Sequence, residues 1–329
     1  MIHISLDVMG GDHGPNEILQ GAFLALKDYP IHLHLVGQRD VIEAELASFE
    51  SWPYDQTTIQ HAPDVVTMSE SPALAYRKKK ESSIQIGLNL VRDKVVGGFV
   101  SAGNTGAVMA TSTLTLGRIP HVERPAIAVV LPSETGPFVI LDMGSNMDSK
   151  SQHLSQFAIM GHFFAKFILH IDSPRVGLLN IGEEEDKGNM ATLEAYQLIK
   201  QNPQLQFVGN IEGKDVLLGK ADVVVCDGFV GNTLLKFGEG VTAIFVNFFK
   251  SEASQSWKSL LGLWLMKSSL KRFLNKFDYQ EYGGAPLLGV NGVSIVAHGK
   301  SKRLAIKHAI RTCCHAIEGQ MIQKITGAF

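Results

Sequence analysis

The residues best suited to chemistry lie in six glycine-bearing stretches: DVMGGDHGP (7–15), SAGNTGA (101–107), DMGSNMD (142–148), NIGEEEDKGN (180–189), CDGFVGN (226–232) and AHGKS (297–301). Backbone N–H groups left open by glycine, beside helix N-termini that carry about half a positive charge, form anion sites. SAGNTGA is the best of the six: Gly103 and Gly106 permit close approach, while Asn104 and Thr105 can donate to phosphate oxygens. Gly10 and Gly11 of the first stretch offer the same open backbone. Any single loop is better explained as a tight strand-to-helix turn; six together favour a ligand site without naming the ligand.

Two side chains stand out among these stretches. Lys187 follows four acids, Glu183 to Asp186. The acids suit a solvated helix N-terminus, whereas a lysine on a strand-end loop can pair with phosphate or stabilise an oxyanion. Asn232 can cap the helix that follows it, or donate to a carbonyl oxygen gaining negative charge. Asp142 and Asp227 can orient a lysine, bind a metal or cap backbone donors. Familiar motifs are missing: no G-x-G-x-x-G follows the first strand, and HGKS lacks the earlier glycine of a phosphate loop, Ser294 standing in its place. H-E-x-x-H, C-x-x-C and G-x-S-x-G are also absent, which removes support for zinc hydrolase and α/β-hydrolase chemistry.

Positioning these loops requires strands that end together. Short β-branched runs alternate with helical patterns throughout, the signature of an α/β fold with a mostly parallel sheet covered by helices. The pattern predicts strands at 2–8, 32–36, 57–61, 98–101, 126–131, 138–142, 175–180, 207–208, 222–226 and 293–298. Helices are expected at 16–29, 40–50, 84–92, 105–114, 149–169, 190–200, 231–249 and 304–325. Pro15 suits a first helical turn, and Asp40, Asn104 and Asn189 suit N-caps. No Pro/Gly-rich seam divides the chain, so residues 1–329 are expected to form one α/β domain with a helical excursion at about 250–280. In such a sheet all six loops would lie along one carboxyl edge, where ligands bind.

Composition narrows the class. The 329 residues include 30 Lys+Arg and 32 Asp+Glu, a formal charge of −2 that offers nucleic acid no attracting field. Hydrophobic residues make up 45% and charged ones 19%, against a usual charged share of roughly 25%, which argues for a large core. Cys226, Cys313 and Cys314 cannot form a disulfide framework and read as free thiols in a reducing compartment. MIHISLDVMGGDHGP lacks the features of a signal peptide, and no stretch reaches the ~20 apolar residues that span a bilayer, so a cytoplasmic location is expected.

The segment SWKSLLGLWLMKSSLKRFLNKF (256–277) carries Lys258, Lys267, Lys271, Arg272 and Lys276 and no acid. Trp257, Leu260, Leu261 and Trp264 share one helical face, and 270, 273, 274 and 277 repeat it after Ser268–Ser269, which predicts two short helices in a hairpin. Trp257, Leu261, Trp264 and Leu265, with Lys267, are the expected anchors on an anionic membrane. A dimerisation arm or a helix packed on the core is the alternative. The YRKKKESS cluster (76–83) reads as a solvated helix face or a docking site for an acidic protein.

DVMGGDHGP, SAGNTGA, RVGLLNIGEEEDKGN, VVVCDGFVGN and YGGAPLLGVNG (282–292), with ERPAIAVVLP and HLSQFAIMG between them, resemble the PlsX family of phosphate acyltransferases over essentially the whole chain. Ser145 stands where that family's DMGSN loop usually has alanine. The resemblance implies that inorganic phosphate attacks the thioester of a long-chain acyl-acyl-carrier-protein, giving acyl phosphate for the first acylation of glycerol 3-phosphate in bacterial phospholipid synthesis. It also implies a Rossmann-like three-layer α/β/α homodimer, related to isocitrate/isopropylmalate dehydrogenase-like and phosphotransacetylase folds, with no nucleotide or metal cofactor. Lys187 and Asn232 match the motifs that carry the family's active site, and the hairpin would bring the enzyme peripherally to the inner face of the cell membrane. Other readings are a phosphotransacetylase-like enzyme using acyl-coenzyme A, a related NAD-dependent decarboxylating dehydrogenase, and a membrane scaffold without activity.

Overall fold

A computed structural model describes residues 1–254, 256–276 and 283–329, with only the backbone of 249, 250, 252–254, 263, 269 and 271–276. Phe277 and Tyr282 therefore lie outside the described residues, as do the side chains of Lys271, Arg272, Phe273, Leu274 and Lys276. The chain opens with β1 (Ile2–Asp7), α1 (Gly14–Asp28), β2 (Ile31–Gly37), α2 (Arg39–Leu46) and β3 (Thr57–His61). α3 (Pro72–Lys78), α4 (Ser83–Arg92), β4 (Gly98–Ser101), α5 (Thr105–Leu116), β5 (Ala126–Ile127), β6 (Val129–Pro132) and β7 (Pro137–Leu141) follow. Next come α6 (Ser151–Phe167), β8 (Arg175–Asn180), α7 (Met190–Lys200), β9 (Gln206–Glu212) and β10 (Val223–Val225). α8 (Gly228–Ser254), α9 (Trp257–Lys276), β11 (Ala285–Leu288), β12 (Val293–Val296), α10 (Arg303–Glu318) and α11 (Met321–Thr326) complete it.

The strands form two sheets, not the single one expected. The first has the order β3-β2-β1-β4-β12-β11-β5 and the second β6-β7-β10-β8-β9. Pairing is parallel except at β11, β5 and β6. The junction falls inside the run read as one strand at 126–131. β5 pairs with β11, the Ala128 N–H donates to the Pro286 carbonyl at 3.0 Å, and β6 then pairs with β7 of the other sheet. Hydrophobic pattern reports burial, not partner, so a continuous buried run hides such a crossing. β1, β4 and β12 end together in the first sheet, and β7, β8 and β10 in the second. The six glycine loops thus divide three and three between two carboxyl edges.

Local signals explain most helix starts. Pro15 sits in the first turn of α1, and the side chains of Asn104 and Asn189 accept the N–H groups of Ala107 and Thr192. Asp40 is not a cap: Gln38 holds that position in α2 and Asp40 lies in the first turn, where the helix dipole favours an acid. α6 buries Leu154, Phe157, Ala158 and Phe164, which share one core cluster with Val139, Leu141, Val223 and Val225 of the second sheet. Each large side chain fully removed from water there stabilises by roughly 1.5–3 kcal/mol.

The excursion near 250–280 also differs from expectation. Its arms are α8 and α9, and Ser268–Ser269 lies within the single helix α9. Serine is tolerated in a helix interior; the break comes earlier, where the Ser256 hydroxyl accepts the Ser259 N–H at 3.1 Å and caps α9. Among the described residues no helix is long and apolar enough to cross a membrane.

The two ends of the chain meet where α1 packs against α10. The Arg303 backbone N–H and Nε donate to Glu17 at 2.9 and 3.2 Å, holding that carboxyl below its ordinary range. A depressed carboxyl pKa stabilises the fold above the unfolded-state pKa and loses that contribution as pH falls through the folded value. Glu17→Gln is therefore expected to lower stability at pH 7 by at most about 1 kcal/mol. In thermal melts at decreasing pH, the gap to the parent should close in the acid range below the ordinary glutamate pKa; a gap constant with pH would contradict the ion pair.

Candidate active site

At the first sheet's edge, a buried carboxylate organises the loops. Asp7, the last residue of β1, accepts the Ser101 hydroxyl at 2.6 Å and the Met9 N–H at 3.0 Å, and Gly10 N–H also bonds to it. Burial raises its pKa despite these donors. Ser101 in turn accepts the Gly103 N–H at 3.0 Å. The loops after β1 and β4 touch back to back: a Cβ built on Gly10 would lie 2.6 Å from the nitrogen of Gly103. Gly11, at φ +89°, rests against Ala102 and the Gly299 carbonyl. The Asp12 N–H donates to that carbonyl at 2.7 Å, which brings the HGKS loop after β12 into the same group and directs Asp12 towards it.

This arrangement redistributes the expected phosphate donors. The Asn104 amide donates to the carbonyls of Thr67, Met68 and Glu70, while its oxygen caps α5. Its side chain is committed to fastening the loop before α3 and is not free for an anion. Gly106 owes its missing side chain partly to Pro72, whose Cγ would be 2.7 Å from a Cβ there. The N–H groups of Thr105 and Gly106 remain, since the first turn of a helix offers them no internal acceptor.

At the second sheet's edge a buried aspartate again pins a loop. Asp142 accepts from the backbone N–H groups of Ile127, Ser145 and Asn146 at 3.0, 3.0 and 2.6 Å, and from the Ser145 hydroxyl. It caps backbone donors, and burial raises its pKa. The Ser145 hydroxyl also accepts the Ile127 N–H at 2.9 Å, so it ties this loop to β5 of the other sheet, which alanine would not do.

Asn232 does not cap its helix. α8 begins four residues earlier, and Asp227 accepts the Val230 N–H at 2.7 Å in the capping position. Asn232 lies in the second turn beside Gly144, whose φ of +109° favours glycine; a Cβ there would sit in ordinary contact, 3.6 Å from Asn232 Cβ. Among the described residues its amide has no hydrogen-bond partner.

Lys187 is similarly uncommitted. Two of the acids before it are neutralised elsewhere, Glu183 by Lys220 and Glu185 by Lys200, each at 2.7 Å. Its backbone is fixed, the carbonyl accepting from Asn180 Nδ2 at 2.9 Å, and its stem passes close to Gly182. Among the described residues no carboxylate pairs with its ammonium group. Its loop and that of Asn232 meet at a cavity of about 60 Å³ lined by Ser149, Asn189, Thr192, Cys226, Asp227 and Val230, among others. Ser149, which sequence reasoning missed, presents a buried hydroxyl oxygen without a partner; a serine in a polar loop carries no signal that it will be enclosed. Burial pushes the Cys226 thiol well above its usual range, so it is not a thiolate nucleophile.

Burial lowers the pKa of His298 in the HGKS loop, and the charge of Lys236 on α8 adds to that while Glu239 on α8 opposes it. Further along, Phe237, Ile244 and Phe248 of α8 and Trp257, Leu261, Trp264 and Leu265 of α9 expose their side chains, with Lys258 and Lys267 exposed on α9.

The arrangement can therefore offer backbone N–H groups at one edge and an uncharged amide with a free ammonium group at the other. Residues 2–324 match the family model described as "Fatty acid synthesis protein". The chain is 49% identical over 322 residues to the phosphate acyltransferase of Pelotomaculum thermopropionicum, covering 98% of this chain and 93% of that one. It is 47% identical over 325 residues to the phosphate acyltransferase of Desulforamulus reducens, covering 99% and 96%. Among solved structures, a phosphotransacetylase from Streptococcus pyogenes superposes with a TM-score of 0.62 at 18% identity, covering 96% of this chain and 94% of that one. That similarity establishes a shared fold.

Proposed function

The chain belongs to the PlsX family of fatty acid synthesis proteins, enzymes that transfer an acyl group to phosphate, and we propose that its donor is a long-chain acyl-acyl-carrier-protein. The product, acyl phosphate, then serves the first acylation of glycerol 3-phosphate in phospholipid synthesis. Phosphate is already an anion with lone pairs at neutral pH, so no activated serine or cysteine is required. A phosphate oxygen attacks the thioester carbonyl carbon, the C–S bond breaks, and the carrier leaves as a thiolate that takes a proton from water; free thiols have a pKa near ~8.5, so the leaving group needs little acid assistance. What the protein must supply is position and charge stabilisation.

The observation that carries this reading is the pair of uncommitted donors, Asn232 beside Gly144 and Lys187 with its neighbouring acids paired elsewhere. Asn232 and Lys187 hold the carbonyl oxygen or the attacking phosphate, and Gly11, Thr105 and Gly106 present backbone donors to phosphate. The deciding experiment supplies purified enzyme with palmitoyl-acyl-carrier-protein or palmitoyl-coenzyme A, with and without phosphate, and identifies the acyl product by mass spectrometry. Phosphate-dependent acyl phosphate from the carrier protein is the expected result. Preference for the coenzyme A thioester, or fatty acid released without phosphate, would overturn it.

The same reading gives the α8–α9 hairpin its purpose: its apolar side chains and lysines hold the enzyme at an anionic membrane where the product is consumed, and a homodimer presents two such hairpins. Exposure of Trp257 at 71%, Trp264 at 68% and Leu265 at 67% supports it. Trp264→Glu with Leu265→Glu should abolish co-flotation with anionic liposomes, since each apolar group withdrawn loses its burial and each new carboxylate is repelled. Undiminished flotation would place the anchor elsewhere.

A further inference from the structure

At the opposite end of the strands from the glycine loops, three imidazoles converge. His3 lies on β1 and His32 and His34 on β2; the parallel register pairs His3 with His32, and His34 follows two residues along on the same face. Ring centroids are 4.8 Å apart for His3 and His32, 5.3 Å for His32 and His34, and 5.5 Å for His3 and His34. One ring nitrogen from each lies within 4.8 Å of the other two.

We propose that His3, His32 and His34 form a binding site for a divalent transition-metal ion of the zinc class, with water completing the tetrahedron. The hydrogen bonding fits this use. Thr58 on β3 holds His32 Nε2 at 2.9 Å, which leaves His32 Nδ1 as the ligand atom in the manner of an outer-shell partner that fixes a tautomer. His3 Nδ1 and His34 Nε2 approach to 3.2 Å, sharing a single proton that an ion would displace. Tetrahedral ligands at ~2.0–2.1 Å from zinc are about 3.3 Å apart. Small side-chain rotations close the remaining distance, and His3 is exposed and free to make them. Among the described residues the other group with metal-like spacing, Glu183, Glu212 and Asp215, is already occupied by Lys220 and Lys214.

The ion would clasp β1 to β2, away from the loops that serve acyl transfer, so the inference stands independently of the donor assigned above. Chelator-stripped full-length protein should bind one zinc ion per chain by calorimetric titration, and cobalt should give the strong visible absorption of a tetrahedral complex. His3→Gln, which alters the most exposed ring, and His34→Gln should each lower zinc affinity by ~10-fold or more, and Thr58→Val by up to about 10-fold, with far-ultraviolet circular dichroism unchanged. Zinc should raise the melting temperature of the parent and not of the His3→Gln protein, while phosphate-dependent acyl transfer by the stripped protein stays at the parent's rate. Equal zinc stoichiometry and affinity in parent and His3→Gln protein, or only the weak spectrum of octahedral cobalt, would overturn the site.

Discussion

Asn232→Ala is expected to lower the turnover of acyl transfer to phosphate by ~10²-fold or more while changing stability by no more than about 0.5 kcal/mol. The two halves of that expectation come from the same fact: among the described residues the amide has no partner, so its removal leaves nothing unsatisfied. Had Asn232 been the N-cap of α8, alanine would cost roughly 1 kcal/mol whatever its part in catalysis; Asp227 holds that position instead. Lys187→Ala should lower kcat/KM for phosphate by a comparable factor, and its kinetics separate the roles. A raised KM for phosphate with turnover retained means that the ammonium group binds phosphate, whereas a fall in turnover at saturating phosphate means that it acts on the transition state. Normal kinetic constants in both purified variants would remove these residues from the mechanism.

The loops and their order along the chain were legible in the sequence because a glycine after a β-branched run reports a strand end whatever sheet the strand joins. Which sheet was not legible. Ala128 carries the chain from β5 to β6 within an unbroken apolar run, and only long-range pairing separates the two. The roles inside the loops divided along similar lines. Asn104 and Asn189 cap by contacts three residues away, which spacing reveals. Asp7 gathers Ser101, Met9 and Gly10 around one buried carboxyl, and its main partner is 94 residues distant. The three histidines show the same limit: His32 and His34 alternate visibly on one strand, but His3 joins them only through the β1–β2 register.

Gly10→Ala should be the most damaging small change at the first sheet's edge. The new methyl group would start 2.6 Å from the Gly103 nitrogen and 2.8 Å from Asp7 Oδ2, against ordinary contact beginning at 3.4 Å. Neither neighbour is the end of a flexible side chain that can swing aside: one is backbone, and the other is a buried carboxylate held by Ser101. The loops after β1 and β4 must then part by most of an ångström, an overpacking strain of about 1–3 kcal/mol. Because a displacement of that size in positioning groups can reduce reaction by ~10²-fold, kcat/KM for phosphate should fall by a comparable factor if these loops hold phosphate. Gly14→Ala separates the causes, since Gly14 has φ +76° but open space around its would-be Cβ. It should lose stability through backbone strain alone, roughly 1–2 kcal/mol, and keep its kinetics with phosphate. If Gly10→Ala melted early but saturated with phosphate as the parent does, the contact between Gly10 and Gly103 would be a packing requirement only, and phosphate would bind at the other sheet edge, with Lys187 and Asn232.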